Sequence, residues 1–257
     1  MKHSYLLSST KTHIYFASDF HLGVPNHQSS VDREKLICQW LEKIRTNASE
    51  IYLVGDVFDF WFEYKHVVPK GHVRLLGKLA ELADEGIKFT FFKGNHDMWT
   101  FGYLEEEIGL KVVSNELVIE RNGKKFFIHH GDGLGPGDHG YKIIKKIFRN
   151  PLSVKLFGFL HPFFGVGLAK FLSRRSRLGK GNSDKIYLGD DKEFIPVFCK
   201  EKLLETHFDF FICGHRHYPI ELKLSENSKY INLGEWVNDF TYAEFDGTNL
   251  ELKTFKA

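Results

Sequence analysis

Residues 87–97, "IKFTFFKGNHD", set an apolar run against an amide, an imidazole and a carboxylate at Asn95, His96 and Asp97. The run has the aromatic and β-branched content of a buried strand. Alone, Gly94 to Asp97 could be an ordinary polar turn. Four other segments repeat the arrangement. "HIYFAS" (13–18) runs into Asp19 and His21, and "EIYLVG" (50–55) into Asp56. "KKFFIHH" (124–130) ends on His130 with Gly131 and Asp132 behind it, and "FDFFICG" (208–214) leads to His215 and His217.

Between the early strands lie helical patterns, with apolar residues at 36, 37, 40, 41 and 44 and again from Leu75 to Ala83, where Gly86 is a natural stop. Strands alternating with helices predict βα units and a parallel or mixed sheet. In such sheets, sites form at the carboxyl ends of the strands, so five segments would bring these polar groups to one place. The C-terminal runs "KYINLG", "TYAEFDG" and "LELKTF" predict antiparallel strands, with a hairpin turn at Asp246-Gly247. Residues 133–202 carry no clear strand and are rich in Phe, Lys, Arg and Gly. They read as a helical insertion, a lid, within one domain spanning 1–257.

Neutral imidazoles, carboxylates and an amide oxygen together suit divalent Mn, Fe, Co or Zn. Strand alternation would aim both side chains of Asp19-x-His21 the same way, and likewise His215-x-His217, while sending His129 to the opposite face. One carboxylate could bridge two ions about 3.5–4 Å apart. The glycines Gly55, Gly94, Gly131 and Gly214 would let the chain turn just past each strand.

Bulk properties exclude several classes. A formal charge of +2 gives no overall field for nucleic acid. Three scattered cysteines, Cys38, Cys199 and Cys213, fit neither a disulfide framework nor a zinc finger and suggest a reducing, cytoplasmic setting. The first residues do not read as a signal peptide. The longest apolar stretch, "LFGFLHPFFGVGLAKFL" (156–172), is broken by His161, Pro162 and Lys170 and falls short of the ~20 residues of a spanning helix. Contact with a membrane surface stays open.

In sequence and order, "SDFHLG", "GDVFDFW", "GNHDMW", "HHGDG" and "GHRHYP" resemble the motifs of calcineurin-like metallophosphoesterases. The resemblance implies a four-layer α/β/β/α sandwich with a helical lid insertion, and two divalent ions, with Mn2+ expected. One ion would be held by Asp19, His21, Asp56 and His217, the other by Asp56, Asn95, His130 and His215, with Asp56 bridging. "GDVFDFW", the insertion and the basic run "SRRSRLGKGNSDK" (173–185) are similar to the UDP-2,3-diacylglucosamine pyrophosphatases of lipid A synthesis. That implies cleavage of a lipid-linked nucleotide to UMP and 2,3-diacylglucosamine 1-phosphate, with possible peripheral contact at the inner membrane. One branch of that family has Arg where this chain has His96. The alternatives are another metallophosphoesterase, acting on nucleotides or cyclic nucleotides, and a non-catalytic scaffold, which would have lost ligands.

His96, beside Asn95, is expected to contact the phosphate and act in catalysis with Asp56. Asp59 and Asp97 are expected to orient histidine rings. Arg174, Arg175 and Arg177 are candidate diphosphate contacts, because a guanidinium matches phosphate bidentately. Lys180 and Lys185 are weaker candidates. The apolar stretch around Phe163 and Phe164 is either core or a groove for acyl chains.

Overall fold

The computed structural model describes residues 11–24, 29–136, 139–180, 187–189 and 192–256, without the side chains of 139, 140, 170 and 174–180. The chain begins with β1 (His13–Ala17), α1 (Ser30–Ile44), β2 (Ala48–Leu53), α2 (Val73–Asp84) and β3 (Lys88–Phe92). It continues through α3 (Tyr103–Glu106), β4 (Lys111–Val113), β5 (Leu117–Arg121) and β6 (Lys124–His129). Next come α4 (His139–Arg149), α5 (Pro151–Gly158), α6 (Pro162–Lys180), α7 (Phe194–Glu205) and β7 (Phe210–Cys213). It ends in β8 (Pro219–Ser225), β9 (Ser228–Leu233), β10 (Thr241–Phe245) and β11 (Leu250–Thr254).

Among the described residues the strands form two sheets, ordered β11-β10-β1-β2-β3-β4 and β5-β6-β7-β9-β8. The strands β1 to β4 run parallel, as do β6, β7 and β9. Alternation along the strands builds four layers. Tyr15, Ile51 and Phe89 face outward onto Ile37, Trp40 and Leu75 of α1 and α2. Phe16, Tyr52 and Phe92 face inward onto Phe126, Ile212 and Ile231 of the second sheet. On that sheet's far side, Phe127, Phe211 and Tyr230 pack against Ile195 and Cys199 of α7. This is the expected α/β/β/α sandwich. The C-terminal strands divide between the sheets: β8 and β9 join the second, β10 and β11 the first.

Capping fixes the starts of the outer helices and ties them to each other. Ser29 accepts from the Asp32 amide at the start of α1. The buried Glu34 of α1 takes the first amides of α2, from Arg74 at 2.7 Å and Leu75 at 3.0 Å, where α2 has no cap of its own.

Helix α7, within the expected 133–202 insertion, packs on the core, with Ile195 and Cys199 fully buried against β6 and β7. Helices α4 to α6 instead rest on the aromatic loops that follow β2 and β3. Phe157 lies 4.7 Å from the Phe62 ring and 5.0 Å from Trp99, whose Nε1 donates to Phe148 O at 2.9 Å. Most of the insertion's other large side chains are not core. Phe159, Phe163 and Phe164 are 77%, 76% and 67% exposed.

Candidate metal centre

The seven expected ligands stand just past the carboxyl ends of five strands. Asp19 and His21 follow β1, Asp56 follows β2, Asn95 follows β3, His130 follows β6, and His215 and His217 follow β7. Parallel pairing of β1 with β2 and β3, and of β6 with β7, sends all five ends to one rim of the sandwich. Strand alternation is not what aims them. Asp19, His21, Asp56 and His215 have φ of 56°, 44°, 53° and 68°, four of the seven described non-glycine residues with positive φ. Such left-handed turns are costly for side-chain-bearing residues and concentrate at functional sites. Gly94 and Gly214 do not supply positive φ either; they supply room. A Cβ on Gly94 would sit on the Asp56 carboxylate and amide, and one on Gly214 would lie 2.5 Å from Asp19 Oδ2.

The side chains form one continuous set with Asp56 at its centre. Asp56 Oδ2 lies 3.9 Å from His21 Nε2 on one side and 3.4 Å from His130 Nε2 on the other. Beyond His21, His217 Nε2 is 3.1 Å from His21 Nε2 and 3.2 Å from Asp19 Oδ1. Beyond His130, Asn95 Oδ1 lies 3.2 Å from its Nε2 and 2.9 Å from His215 Nδ1. Val54 O, 2.8 Å from His130 Nδ1, fixes that ring and leaves Nε2 facing the site.

Burial and charge set the protonation of these groups in opposite directions. Desolvation holds His21 and His215 at about 3, so both are neutral near pH 7, as a ligand requires. Burial alone would raise the Asp19 carboxyl, but hydrogen bonds from His21 and His217 hold it well below the usual carboxylate range. Burial opposes ionisation of Asp56 too, and is overcome by the charges of His130 and His96. Burial works against charge on His130 and His217, yet both are raised, His130 mainly by Asp56 and His217 mainly by its hydrogen bond to Asp19.

The neighbours divide their work differently than expected. Asp59 does face a ring, its Oδ1 3.4 Å from His96 Nδ1 and its carbonyl 2.9 Å from the same nitrogen. Asp97 faces none. It accepts the amides of Gly94, Asp56, Val57 and Phe58 at 2.8–3.3 Å, shaping the backbone that carries Asp56. Burial and then the Asp56 charge raise its carboxyl to about 7. His96 stands beside the set, its ring 5.0 Å from that of His21, while its amide donates to Asp56 Oδ1 at 2.8 Å. His129 turns back to accept the Gly131 amide at 2.8 Å. Arg174, Arg175 and Arg177 lie on α6 with side chains outside the described residues, as does Lys180; Lys185 is outside them entirely.

Sequence reading missed three supports. Buried Arg33 of α1 donates to His21 O at 3.1 Å and Val24 O at 2.7 Å. Asn232 of β9 donates to Gly214 O at 2.9 Å. Asp132 takes the Tyr141 hydroxyl at 2.5 Å and the Lys145 ammonium at 2.6 Å, fastening α4 to the rim. Arg33 and Asn232 lie in no motif; Asp132 stands within "HHGDG", two residues past His130.

The donor set fits divalent cations. Asp19-His21-His217 and Asp56-His130-His215 each gather one donor atom per residue within 4.8 Å, all of them carboxylate oxygens and imidazole nitrogens. A third such group, His21-Asp59-His96, adjoins the first.

No family model matches the chain. Yfce, a phosphoesterase from E. coli, is a structural likeness at 13% identity and TM-score 0.47, covering 95% of this chain and 93% of that one. Vps29 of Entamoeba histolytica complexed with Zn2+ stands at 14% identity and TM-score 0.40, covering 94% and 90%. Both scores fall below 0.5, so the sequence relatives decide the family. Two facing sheets with Asp, Asn and His donors at one rim match what the resemblance to calcineurin-like metallophosphoesterases implied. A UDP-2,3-diacylglucosamine hydrolase of Porphyromonas gingivalis is 39% identical over 258 aligned residues, 96% of this chain and 98% of that protein. One of Yersinia pestis is 26% identical over 245, covering 93% and 98%. The chain belongs to the UDP-2,3-diacylglucosamine hydrolase family.

Proposed function

We propose that this chain hydrolyses the diphosphate of UDP-2,3-diacylglucosamine, giving UMP and 2,3-diacylglucosamine 1-phosphate. The observation that carries the chemistry is Asp56, placed between two sets of imidazole donors. Asp19, His21, Asp56 and His217 would hold one ion, and Asp56, Asn95, His130 and His215 the other, with Mn2+ as the working metal. Divalent ions there supply Lewis acidity toward phosphoryl oxygens and make water a stronger acid. His96, steered by Asp59, would contact the phosphate and stabilise charge that develops on it. Arg174, Arg175 and Arg177 would clamp the diphosphate from α6.

The substrate's lipid part has a matching space. Between α6 and the loops around residues 60 and 70 lies a cavity of about 660 Å³, lined by Leu22, Phe60, Val67, Val68, Phe163 and Val166, with Asp59 on its wall. Each acyl CH2 buried there would contribute about 0.8 kcal/mol. The cavity thus adjoins the residue that steers His96. Helix α6, through Pro162, Phe163 and Val166, would act as a lid over it within a single domain. The insertion's exposed Phe159, Phe164 and Phe171, with Lys146 and Lys155 nearby, would rest on a membrane from the cytoplasmic side. No described helix is long and apolar enough to cross one.

The test is a Mn2+-supplemented panel of UDP-2,3-diacylglucosamine, cyclic nucleotides and p-nitrophenyl phosphates. The diacylated nucleotide should be preferred by kcat/KM, with UMP as product. Preference for a cyclic nucleotide would establish the other metallophosphoesterase reading.

A further inference from the structure

We infer that Glu193 and Arg216 form a positioning pair for the two histidines of the GHRH loop, an inference that rests on His215 and His217 holding metal. Arg216 stands between them in sequence. The loop is tight, with the Arg216 amide donating to Gly214 O and the Tyr218 amide to Arg216 O, both at 2.8 Å. With His215 left-handed at φ 68°, it holds a strained conformation that persists only where its surroundings enforce it.

On the metal side, enforcement comes from Asp19 Oδ2, 3.0 Å from the His215 amide, and from Asn232 on Gly214 O. On the far side it comes from the Arg216 side chain. Its guanidinium lies 5.7 Å from the Phe194 ring centre and 5.1 Å from that of Tyr218, and Nη2 donates to Glu193 Oε1 at 3.0 Å. Both residues are buried. Glu193 immediately precedes α7, and the same Oε1 accepts the Leu188 amide at 2.9 Å. One carboxylate oxygen therefore ties together the ligand loop, the start of α7 and the chain returning from the insertion.

Chemistry separates positioning from mere stability. A buried ion pair is a weak device for stability, since replacing both partners by well-packed apolar residues is often neutral or stabilising. If the pair only stabilises, it can be exchanged as a unit and the loop will not notice. If it positions, the exchange leaves the fold standing and spoils the ligands.

The experiment compares wild type, Arg216→Lys and the double variant Glu193→Leu/Arg216→Met. Each is measured for Mn2+ affinity by chelator competition and for thermal unfolding. The double variant should unfold cooperatively yet bind Mn2+ on the order of 10–100-fold more weakly, the usual effect of losing an outer partner of a metal ligand. Arg216→Lys, which keeps the charge without the planar fork, should fall between. Wild-type Mn2+ affinity in the double variant overturns the inference. Should that variant fail to fold, isosteric Glu193→Gln decides: folded with weakened affinity supports the pair, folded with wild-type affinity overturns it. If wild-type protein itself takes up no Mn2+, the metal reading falls and the pair's role falls with it.

Discussion

Substituting Gly94 by alanine adds one methyl group at the most crowded point of the centre. The new Cβ would overlap Asp56 Oδ1 and its amide nitrogen, and lie 2.8 Å from its Cγ. Ordinary contact begins at 3.4 Å, so Cγ must retreat by about 0.6 Å and the nearer Oδ1 by more. A rotamer change cannot relieve this, because a backbone nitrogen is among the atoms overlapped. Overpacking of this kind costs about 1–3 kcal/mol. At roughly 2–4 °C per kcal/mol for a chain of this size, Tm should fall by about 2–12 °C. The functional loss should exceed the stability loss. Asp56 Oδ2 stands between His21 and His130 at 3.9 and 3.4 Å, and moving it disturbs both sides at once. Misplacement near 1 Å costs on the order of 100-fold in rate, so the expected drop in kcat/KM is about 10–100-fold. Bis-p-nitrophenyl phosphate hydrolysis with Mn2+, ion content and thermal melts measure the three effects. Gly77→Ala in α2, where no atom lies within 4 Å of the added Cβ, is the control and should gain about 0.5–1 kcal/mol. A Gly94→Ala protein with wild-type Tm, ion content and kcat/KM would refute the crowding argument and the central place of Asp56.

Asp56→Ala should abolish activity and lower bound metal by more than one ion per chain; elemental analysis that still finds both ions would sink the bridging role. His96→Ala should lower kcat and kcat/KM together by about 10²–10⁴-fold at unchanged ion content, and metal lost in step with activity would make His96 a ligand. Phe163→Asp should raise KM for the diacylated nucleotide and spare a small diester, with Tm unmoved because the ring is 76% exposed; equal loss on both substrates would remove the acyl groove. Stripping metal with a chelator should lower Tm, since free ion at 100 times its Kd adds about 2.7 kcal/mol to stability; an unchanged melt would mean that the folded chain gains nothing from the ion.

The seven donors were legible because each follows an apolar run with a turn, and five such turns sharing ligand chemistry are hard to produce otherwise. Less visible was how the donors converge. Alternation predicted a shared direction for Asp19 and His21, but both lie beyond β1 in left-handed turns that no local pattern announces. The division into two sheets was hidden for a related reason. "KYINLG" and "TYAEFDG" look alike as strands, yet one pairs with β7 and the other with β1, a choice made by contacts far apart in the chain. The packing of α7 was hidden too, because nothing local in its sequence announces that Ile195 and Cys199 meet β6 and β7. Asp97 was misread because a carboxylate serving four amides and one serving an imidazole carry the same letter.

The centre also dictates when it can exist during folding. Asp19 and His215 are joined through a hydrogen bond across 196 residues, and β10, near the end of the chain, pairs with β1. The Trp236 amide donates to Asp19 O at 3.1 Å, so residues beyond the last ligand buttress the first. Contacts of such long sequence separation form late and slowly. Ions that need all seven donors would bind only once β7 and the loop after it are in place. They report a finished chain, and a ribosome-bound fragment ending before β7 would display Asp19, His21, Asp56, Asn95 and His130 without the two histidines that complete either set.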